Sequence, residues 1–400
     1  MCGLAARREE PEPGGIVIPE LDLASFLPRP LLAESLDQTA IPRLAHDAAA
    51  MRQIEESLLR IPTSHYLVRG DAREMRSLAP EGTHLILTSP PYWTLKKYDD
   101  ASGQLGHVAA YDDFLSELDR VWRRCYDLLV PGGRLICVVG DVCLSRRQND
   151  GRHTVVPLHA SIQELCRKIG FDNLAPIIWH KIANAAYEVS GGGGFLGKPY
   201  EPNSVIKNDI EYILMFRKPG GYRKPTSAKR LLSAISAENY QSWFQQIWTG
   251  LTGASTRDHP APYPVELAER LIRMFSFAGD VVVDPFSGSG TNAIAAARTG
   301  RHSVGYEISG KYHRMSMARF YRETGGLFWQ PEVMHMEELE TAALLGRTSA
   351  RRCSAILGNS RSASGTPRRQ LRCAGRWKSQ GRNRRQADGW ICRTCPGFPG

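Results

Sequence analysis

Two short stretches of this 400-residue chain bring together groups fit for chemistry. The first is Thr88-Ser89-Pro90-Pro91-Tyr92-Trp93. It follows His84-Leu85-Ile86-Leu87, an apolar run that reads as a buried strand. Pro91 fixes its own φ and drives Pro90 out of the helical region. The carbonyls there point in set directions, beside a hydroxyl (Ser89) and a flat ring (Tyr92). Such a turn could hold a planar group bearing an amino substituent, with a carbonyl accepting from the amino group and the ring stacked on the plane. Open α/β sheets bind ligands at this kind of strand end. The same residues also suit a Pro-Pro turn that only closes a strand, with Tyr92 and Trp93 packed inside.

The second stretch is Asp284-Pro285-Phe286-Ser287-Gly288-Ser289-Gly290-Thr291, preceded by Val281-Val282-Val283. Gly288 and Gly290 permit positive φ and close backbone approach, and Asn292 to Arg298 is strong helix former. After Gly300, a second strand runs from His302 to Ile308 and carries Glu307 near its end. This is a strand–turn–helix–strand unit with a carboxylate where nucleotide-binding folds hold ribose hydroxyls. A phosphate-binding P-loop is excluded, because Thr291 stands where that loop needs Lys. The loose dinucleotide pattern G-x-G-x-x-A fits Gly288 to Ala293. S-adenosylmethionine also fits, since it needs the ribose-binding acid and has no phosphate to cradle. Asp284-Pro285-Phe286 favours this last ligand over the others and over a connector without one.

Together the two stretches resemble a family, the DNA amino-methyltransferases that use S-adenosylmethionine. In that family an [S/D/N]-P-P-[Y/F/W] segment holds the flipped target base and a D-P-F-x-G-S-G-T segment binds the cofactor. Here they stand as TSPPYW and DPFSGSGT, in that order, similar to the circularly permuted arrangement called the β group. The resemblance implies base-holding and catalytic roles for Ser89, Pro90, Pro91 and Tyr92. It implies cofactor contacts from Asp71, Asp284, Pro285, Phe286, Gly288, Ser289, Gly290, Thr291 and Glu307, and no metal. Ser at the first motif position is similar to the cytosine-N4 members; adenine-N6 members more often carry Asp there. Cytosine-N4 methylation of duplex DNA is therefore expected, adenine-N6 methylation is the alternative, and a nucleotide-cofactor-binding protein without DNA catalysis is a more distant one. His259-Pro260-Ala261-Pro262-Tyr263-Pro264 resembles a further family segment, flanking the methionine end of the cofactor. The resemblance spans residues 46–325, names duplex DNA as partner, allows a cognate restriction endonuclease, and leaves the oligomeric state open.

Charge is uneven. Residues 346–400 carry 13 Lys and Arg against one acid, net +12, which leaves the rest of the chain at −2. Any DNA surface in the body must therefore come from local clusters, with Arg146-Arg147, Lys198, Lys207, Arg217-Lys218, Arg223-Lys224 and Lys229-Arg230 as candidates. The tail, poor in apolar residues, is expected to be disordered. The start lacks the apolar core of a secretory signal, no 18-residue apolar run exists to span a membrane, and the chain reads as cytoplasmic. Scattered cysteines read as free thiols in a reducing compartment.

The elements that position these motifs read as a mainly parallel α/β sheet of seven strands with helices on both faces, a Rossmann-like methyltransferase fold. Strands are expected at 65–70, 84–88, 134–140, 174–180, 211–217, 281–285 and 303–308. Helices are expected at Ala48–Leu59, Tyr111–Leu129, Val155–Ile169 and Val265–Phe277. Residues 1–45 form an N-terminal arm, either loose or wrapped on the core; 46–345 form the catalytic domain; 346–400 are the tail. Residues 182–258, with four consecutive glycines and many aromatics, are assigned to target recognition.

Overall fold

Alternation of apolar residues along the strands builds the molecule. In the computed structural model, Ile86, Leu135, Cys137, Val139, Leu214, Phe216 and Val283 face one apolar cluster, while Leu85, Leu87, Ile136, Val138, Ile213 and Val282 face another. Both faces of the sheet are thus covered, which is why these strands read as near-continuous apolar runs. The structure describes residues 15–32, 39–95, 100–147, 149–181, 208–253, 263–325 and 331–338, which lie within one compact unit.

The strands are β1 (Ser64–Arg69), β2 (Thr83–Thr88), β3 (Leu129–Val139), β4 (Val142–Leu144), β5 (Thr154–Val156), β6 (Asp172–His180), β7 (Ile210–Arg217), β8 (Ile247–Trp248), β9 (Val281–Asp284), β10 (His302–Glu307) and β11 (Glu332–Glu337). Nine of them form one sheet in the order β11-β1-β10-β9-β2-β3-β7-β6-β8, and β4 and β5 pair as a separate antiparallel ribbon. Every pairing in the large sheet is parallel except those of β7 with β3 and with β6. The seven expected strands are all present, and among the described residues one strand runs antiparallel, as in the resembled family; β8 and β11 extend the sheet at its two edges.

The helices are α1 (Ala40–His46), α2 (Ala48–Leu58), α3 (Tyr111–Leu128), α4 (Leu158–Ile169), α5 (Ser227–Leu232), α6 (Ala237–Trp243), α7 (Val265–Phe275), α8 (Thr291–Arg298) and α9 (Gly310–Thr324). α3 and α4 bury Phe114, Leu118, Trp122, Leu158 and Ile162 on one face of the sheet, and α7 and α8 bury Leu267, Leu271, Ile272 and Ala295 on the other. Asp112 and Asp113 head α3, where the helix dipole favours acids. The helix expected to begin at Val155 begins at Leu158 instead, because Thr154–Val156 pairs with β4.

The N-terminal arm wraps the core where it is described: Leu23 and Leu31 are buried against α2 and α5 residues, and the Ile16 amide donates to the Ser77 carbonyl. Part of the stretch assigned to recognition is interior. Leu231 and Leu232 of α5, Trp243 of α6 and Trp248 of β8 are buried core. The four glycines, Lys198, Lys207, His259 to Pro262 and the tail lie outside the described residues.

Candidate active site

β2 and β9 are neighbours at the centre of the sheet, and the chain leaves them in opposite directions. From β9 it passes through α8 to β10 on one side; from β2 it passes through α3 to β3 on the other. Such a divergence opens a crevice beyond the carboxyl ends of the strands. The two motifs end these two strands, so the crevice brings them together although they are far apart in sequence.

Their joint is hydrogen-bonded. Thr88 Oγ1 donates to Asp284 Oδ1 at 2.7 Å, and Asn292 Nδ2 donates to Asp284 Oδ2 and to the Leu87 carbonyl, both at 2.7 Å. The Phe286 amide also donates to Asp284 Oδ1, at 3.0 Å. Asp284 is buried, and burial pushes its carboxyl up to about 6 against the opposing effect of those donors. The donors in this network are all neutral. Asp284 acts as the pin between the two turns and does not line the crevice.

The cofactor turn lies flat on β10. The Ser287 amide donates to the Tyr306 carbonyl at 2.8 Å, and a side chain at Gly305 would place its Cβ 2.6 Å from Ser287 Oγ. Gly290 has φ 77° and begins α8, so its conformation suits glycine. Glu307 ends β10 with both carboxylate oxygens engaged by backbone: the Gly288 amide donates to Oε2 at 2.9 Å and the Ser309 amide to Oε1 at 2.8 Å. Burial raises its carboxyl to about 7, offset in part by those amides.

The crevice encloses about 570 Å³ of empty space, its open mouth included. Asp71, Ser89, Pro91, Pro285, Phe286, Gly288 and Glu307 line it, together with Gly70, Gln104, Leu105, Tyr306, Ile308 and Tyr312, which the sequence did not single out. Pro90, Tyr92, Ser289, Gly290 and Thr291 do not line it. Ser289 and Thr291 face α9 instead, where Arg319 Nη1 donates to both hydroxyls at 2.9 Å. Asp71 is held by Arg73, whose Nε donates to Oδ1 at 2.9 Å; Arg73 also pairs with Glu117. Among the described residues, no Lys, Arg or His lines the crevice. The crevice thus has no lining cation to meet a diphosphate; Glu307 lacks a cationic partner among the described residues while Arg73 offsets Asp71, which suits a cationic ligand with ribose hydroxyls. S-adenosylmethionine therefore fits these residues.

Tyr92 is buried, 6% exposed, with its hydroxyl 3.3 Å from Ser89 Oγ. Trp93 adopts φ 45°, an uncommon conformation for a bulky residue, and its Nε1 donates to the Val108 carbonyl at 3.0 Å. Past Tyr92 the strand-end row continues. Gly140 follows β3, and a Cβ there would meet Glu211 Cγ at 3.4 Å and Tyr92 Cε2 at 3.8 Å. Glu211 is buried and ion-paired with Lys181, and His159 Nδ1 lies 2.6 Å from Asp141 Oδ1 while its ring stacks on Tyr212. Because β7 runs backwards, its first residues reach the same edge as the last residues of β2, β3 and β6. Only that topology reveals Glu211 as a neighbour of the site.

The charges proposed for DNA divide. Arg217 pairs with Asp172, Lys218 with Glu81, and Arg223 with buried Asp280, which Lys229 also approaches. These lie at the opposite, amino-terminal edge of the sheet's parallel strands, so they are corrected from DNA ligands to structural partners. Arg146 and Arg147 stay exposed on the β4–β5 ribbon.

A doubly wound sheet with a ribose-type acid, an acidic crevice and a Ser-Pro-Pro-Tyr turn at its switch point defines a nucleoside-cofactor transferase. The chain belongs to the N6/N4 DNA methylase family, whose profile matches residues 83–318; it is a DNA amino-methyltransferase of the β group, a family that uses S-adenosylmethionine. The type II methyltransferase M.MjaI of Methanocaldococcus jannaschii is 36% identical over 277 residues, covering 62% of this chain and 88% of its own length. M.MthZI of Methanothermobacter thermautotrophicus, also a type II methyltransferase, is 33% identical over 279 residues, covering 64% and 76%. The structure of a DNA modification methylase from Thermus thermophilus, complexed with S-adenosyl-L-methionine, matches with 51% identity and TM-score 0.54 over 68% of this chain and 99% of that one.

Proposed function

We propose that the protein methylates the exocyclic N4 amino group of cytosine in duplex DNA, at a specific sequence, with the base flipped into the crevice. The observation that carries this reading is Ser89 at the first position of the Ser-Pro-Pro-Tyr turn. It presents a neutral hydroxyl at the crevice wall, where an aspartate is more usual for adenine.

Flipping costs a few kcal/mol of unstacking and unpairing. Tyr92, buried in this structure and outside the crevice lining, is the ring assigned to stack on the flipped base. Ser89 and the Pro90 carbonyl accept from its amino group and draw the nitrogen lone pair out of conjugation with the ring. When bound, S-adenosylmethionine supplies an electrophilic methyl group. Glu307 would take the ribose hydroxyls, Asp71 the adenine end, and Phe286 and Gly288 the wall beneath. Pro285 shapes the turn, while Asp284, Ser289, Gly290 and Thr291 support it from behind. No covalent link to the enzyme is needed. The similarity to type II methyltransferases supports a cognate restriction endonuclease as partner, and a DNA-directed enzyme supports a cytoplasmic location.

Nucleoside mass spectrometry on DNA from cells expressing the chain tests the reading. N4-methylcytosine is expected. N6-methyladenine in its place would overturn the choice of base and leave the fold's chemistry intact; neither base modified would overturn DNA methylation itself.

A further inference from the structure

The β4–β5 ribbon has no part in the cofactor crevice, yet its root is fixed to the catalytic edge. β4 starts two residues after Gly140 and packs beside the Trp93–Leu95 turn that follows the Ser-Pro-Pro-Tyr segment. Val142 is buried in the same apolar cluster as Tyr92, and Asn208 Nδ2 donates to the Asp141 carbonyl at 3.3 Å.

The far end is ordered by its own bonds. The Arg152 amide donates to the Asn149 carbonyl at 2.8 Å, the Gly151 amide to the Arg146 carbonyl at 2.9 Å, and Asn149 Nδ2 to Thr154 Oγ1 at 2.8 Å. Asp150 and Gly151 have φ of 47° and 79°, the paired positive values of a type I′ turn, which Asp-Gly favours. Among the described residues that link β4 to β5, Arg146, Arg147, Arg152 and His153 are exposed, against one exposed acid, Asp150. At about 3.3 Å per strand residue, the paired strands alone span about 10 Å. Arg217, Lys218 and Arg223 are committed to carboxylates at the other edge of the sheet.

We propose that the β4–β5 hairpin is a phosphate clamp, whose arginines hold the DNA backbone beside the target nucleotide while its base is out of the stack. The proposal rests on the DNA-methylation reading. Guanidinium groups match phosphate oxygens bidentately, and the bonds from the Gly151 amide to Arg146 and from the Arg152 amide to Asn149 hold the described residues of this link together. Contacts of this kind position the duplex and carry no sequence information.

The test is duplex binding without cofactor, across a salt series, for the full chain and for the variant Arg146→Ala/Arg147→Ala/Arg152→Ala. Each phosphate contact contributes about 0.9 to the log–log salt slope, so the slope should fall by about 2 to 3. The corresponding triple Lys variant should restore it. The alanine variant should lose at least as much affinity for a duplex whose target base is mismatched, and so flips readily, as for one with a paired target, and should methylate the same sequence. An unchanged slope, a Lys variant as weak as the Ala variant, a loss confined to the paired duplex, or a shifted methylation site would each overturn the clamp. Calorimetry with S-adenosylmethionine checks that each variant is folded. If that fails for the triple variant, Arg152→Ala alone should lower the slope by about 0.9. A wild-type chain that shows the slope but methylates nothing would overturn the function and leave the clamp.

Discussion

Asp284 and Glu307, at the carboxyl ends of β9 and β10, and Asp280, at the amino end of β9, are buried in opposite ways. At the carboxyl-terminal end, Asp284 and Glu307 are held by amides, a hydroxyl and a carboxamide, and both carboxyls are raised, to about 6 and about 7. At the amino-terminal end, burial would raise Asp280, but the Arg223 guanidinium, with Nη2 to Oδ1 at 2.7 Å, holds it below its ordinary value. His84 and His302 flank that pair; burial lowers both to about 4, and each accepts a backbone amide from a neighbouring strand at 3.0 Å. Asp280 settles its charge with a neighbouring cation. Asp284 and Glu307 have no cationic partner among the described residues, at a cost in stability, and at Glu307, which lines the crevice, a cationic ligand can supply the missing charge.

The largest effect should come from the settled pair. Asp280→Ala leaves Arg223 without its buried partner, a loss of about 3–5 kcal/mol. Thermal unfolding should show a large fall in midpoint, while the remaining folded protein binds S-adenosylmethionine with unchanged affinity. Because the Asp280 carboxyl is lowered on folding, the stability it contributes is fully present above the ordinary carboxylate range and is lost as pH falls below that range through the lowered folded value. Weakened cofactor binding in this variant would break the division between Asp280 and the other two acids.

Next come Ser89→Ala and Tyr92→Ala. Stacking on an aromatic is worth about 1–3 kcal/mol per base, so Tyr92→Ala should slow methyl transfer roughly tenfold to a hundredfold with cofactor affinity retained. Single-turnover kinetics beside calorimetry separates the two quantities, and wild-type rates in both variants would return this turn to a purely structural role.

A smaller, pH-dependent effect belongs to Glu307. Its carboxyl is raised on folding, so the ligand-free protein should lose stability as pH rises from the ordinary carboxylate range through about 7. The ionised form is the better acceptor for hydroxyls. Cofactor affinity should therefore rise over the same window, by up to about tenfold per unit at its acid side. Glu307→Gln should flatten both curves; a pH dependence that survives the substitution would assign it to another group.

The smallest change is expected from deleting residues 346–400. The segment carries net +12, so its loss should weaken DNA binding mainly at low salt and leave the modified sequence unchanged. A shifted site would place recognition residues there.

The central fold was legible because the strands are buried on both faces and bounded by Gly and Pro, which makes Leu85–Leu87, Ile213–Phe216 and Val281–Val283 hard to mistake. The two motifs were legible because their backbones need special residues. What the sequence hid depends on long-range topology or local turn chemistry. Glu211 reads as an ordinary charge heading an apolar run until β7 is known to be reversed. Arg217 and Arg223 look like DNA ligands until Asp172 and Asp280 are seen beside them. The β4–β5 hairpin did carry a local signal, Asp150-Gly151 between short apolar runs, which the helical reading of Val155 onward obscured. Trp243 and Trp248 looked like recognition aromatics, but composition cannot tell an aromatic that packs under a sheet from one that meets a base.

The sheet order also sets when this enzyme can exist during its own synthesis. β1 pairs with β10 and β11, and β2 pairs with β9, so early strands are completed only by late ones; His65, for example, sits opposite Ser303. A growing chain that has emitted β1 and β2 soon gains β3 beside β2, but the other edge of β2 waits nearly two hundred residues for β9, and β1 waits more than two hundred for β10. At about 5–20 residues per second, that is a wait of ten seconds or more. Interrupted translation products therefore have neither a crevice nor a closed core. The ribosome delivers a working methylase or an aggregation-prone fragment, with no partly active half between them.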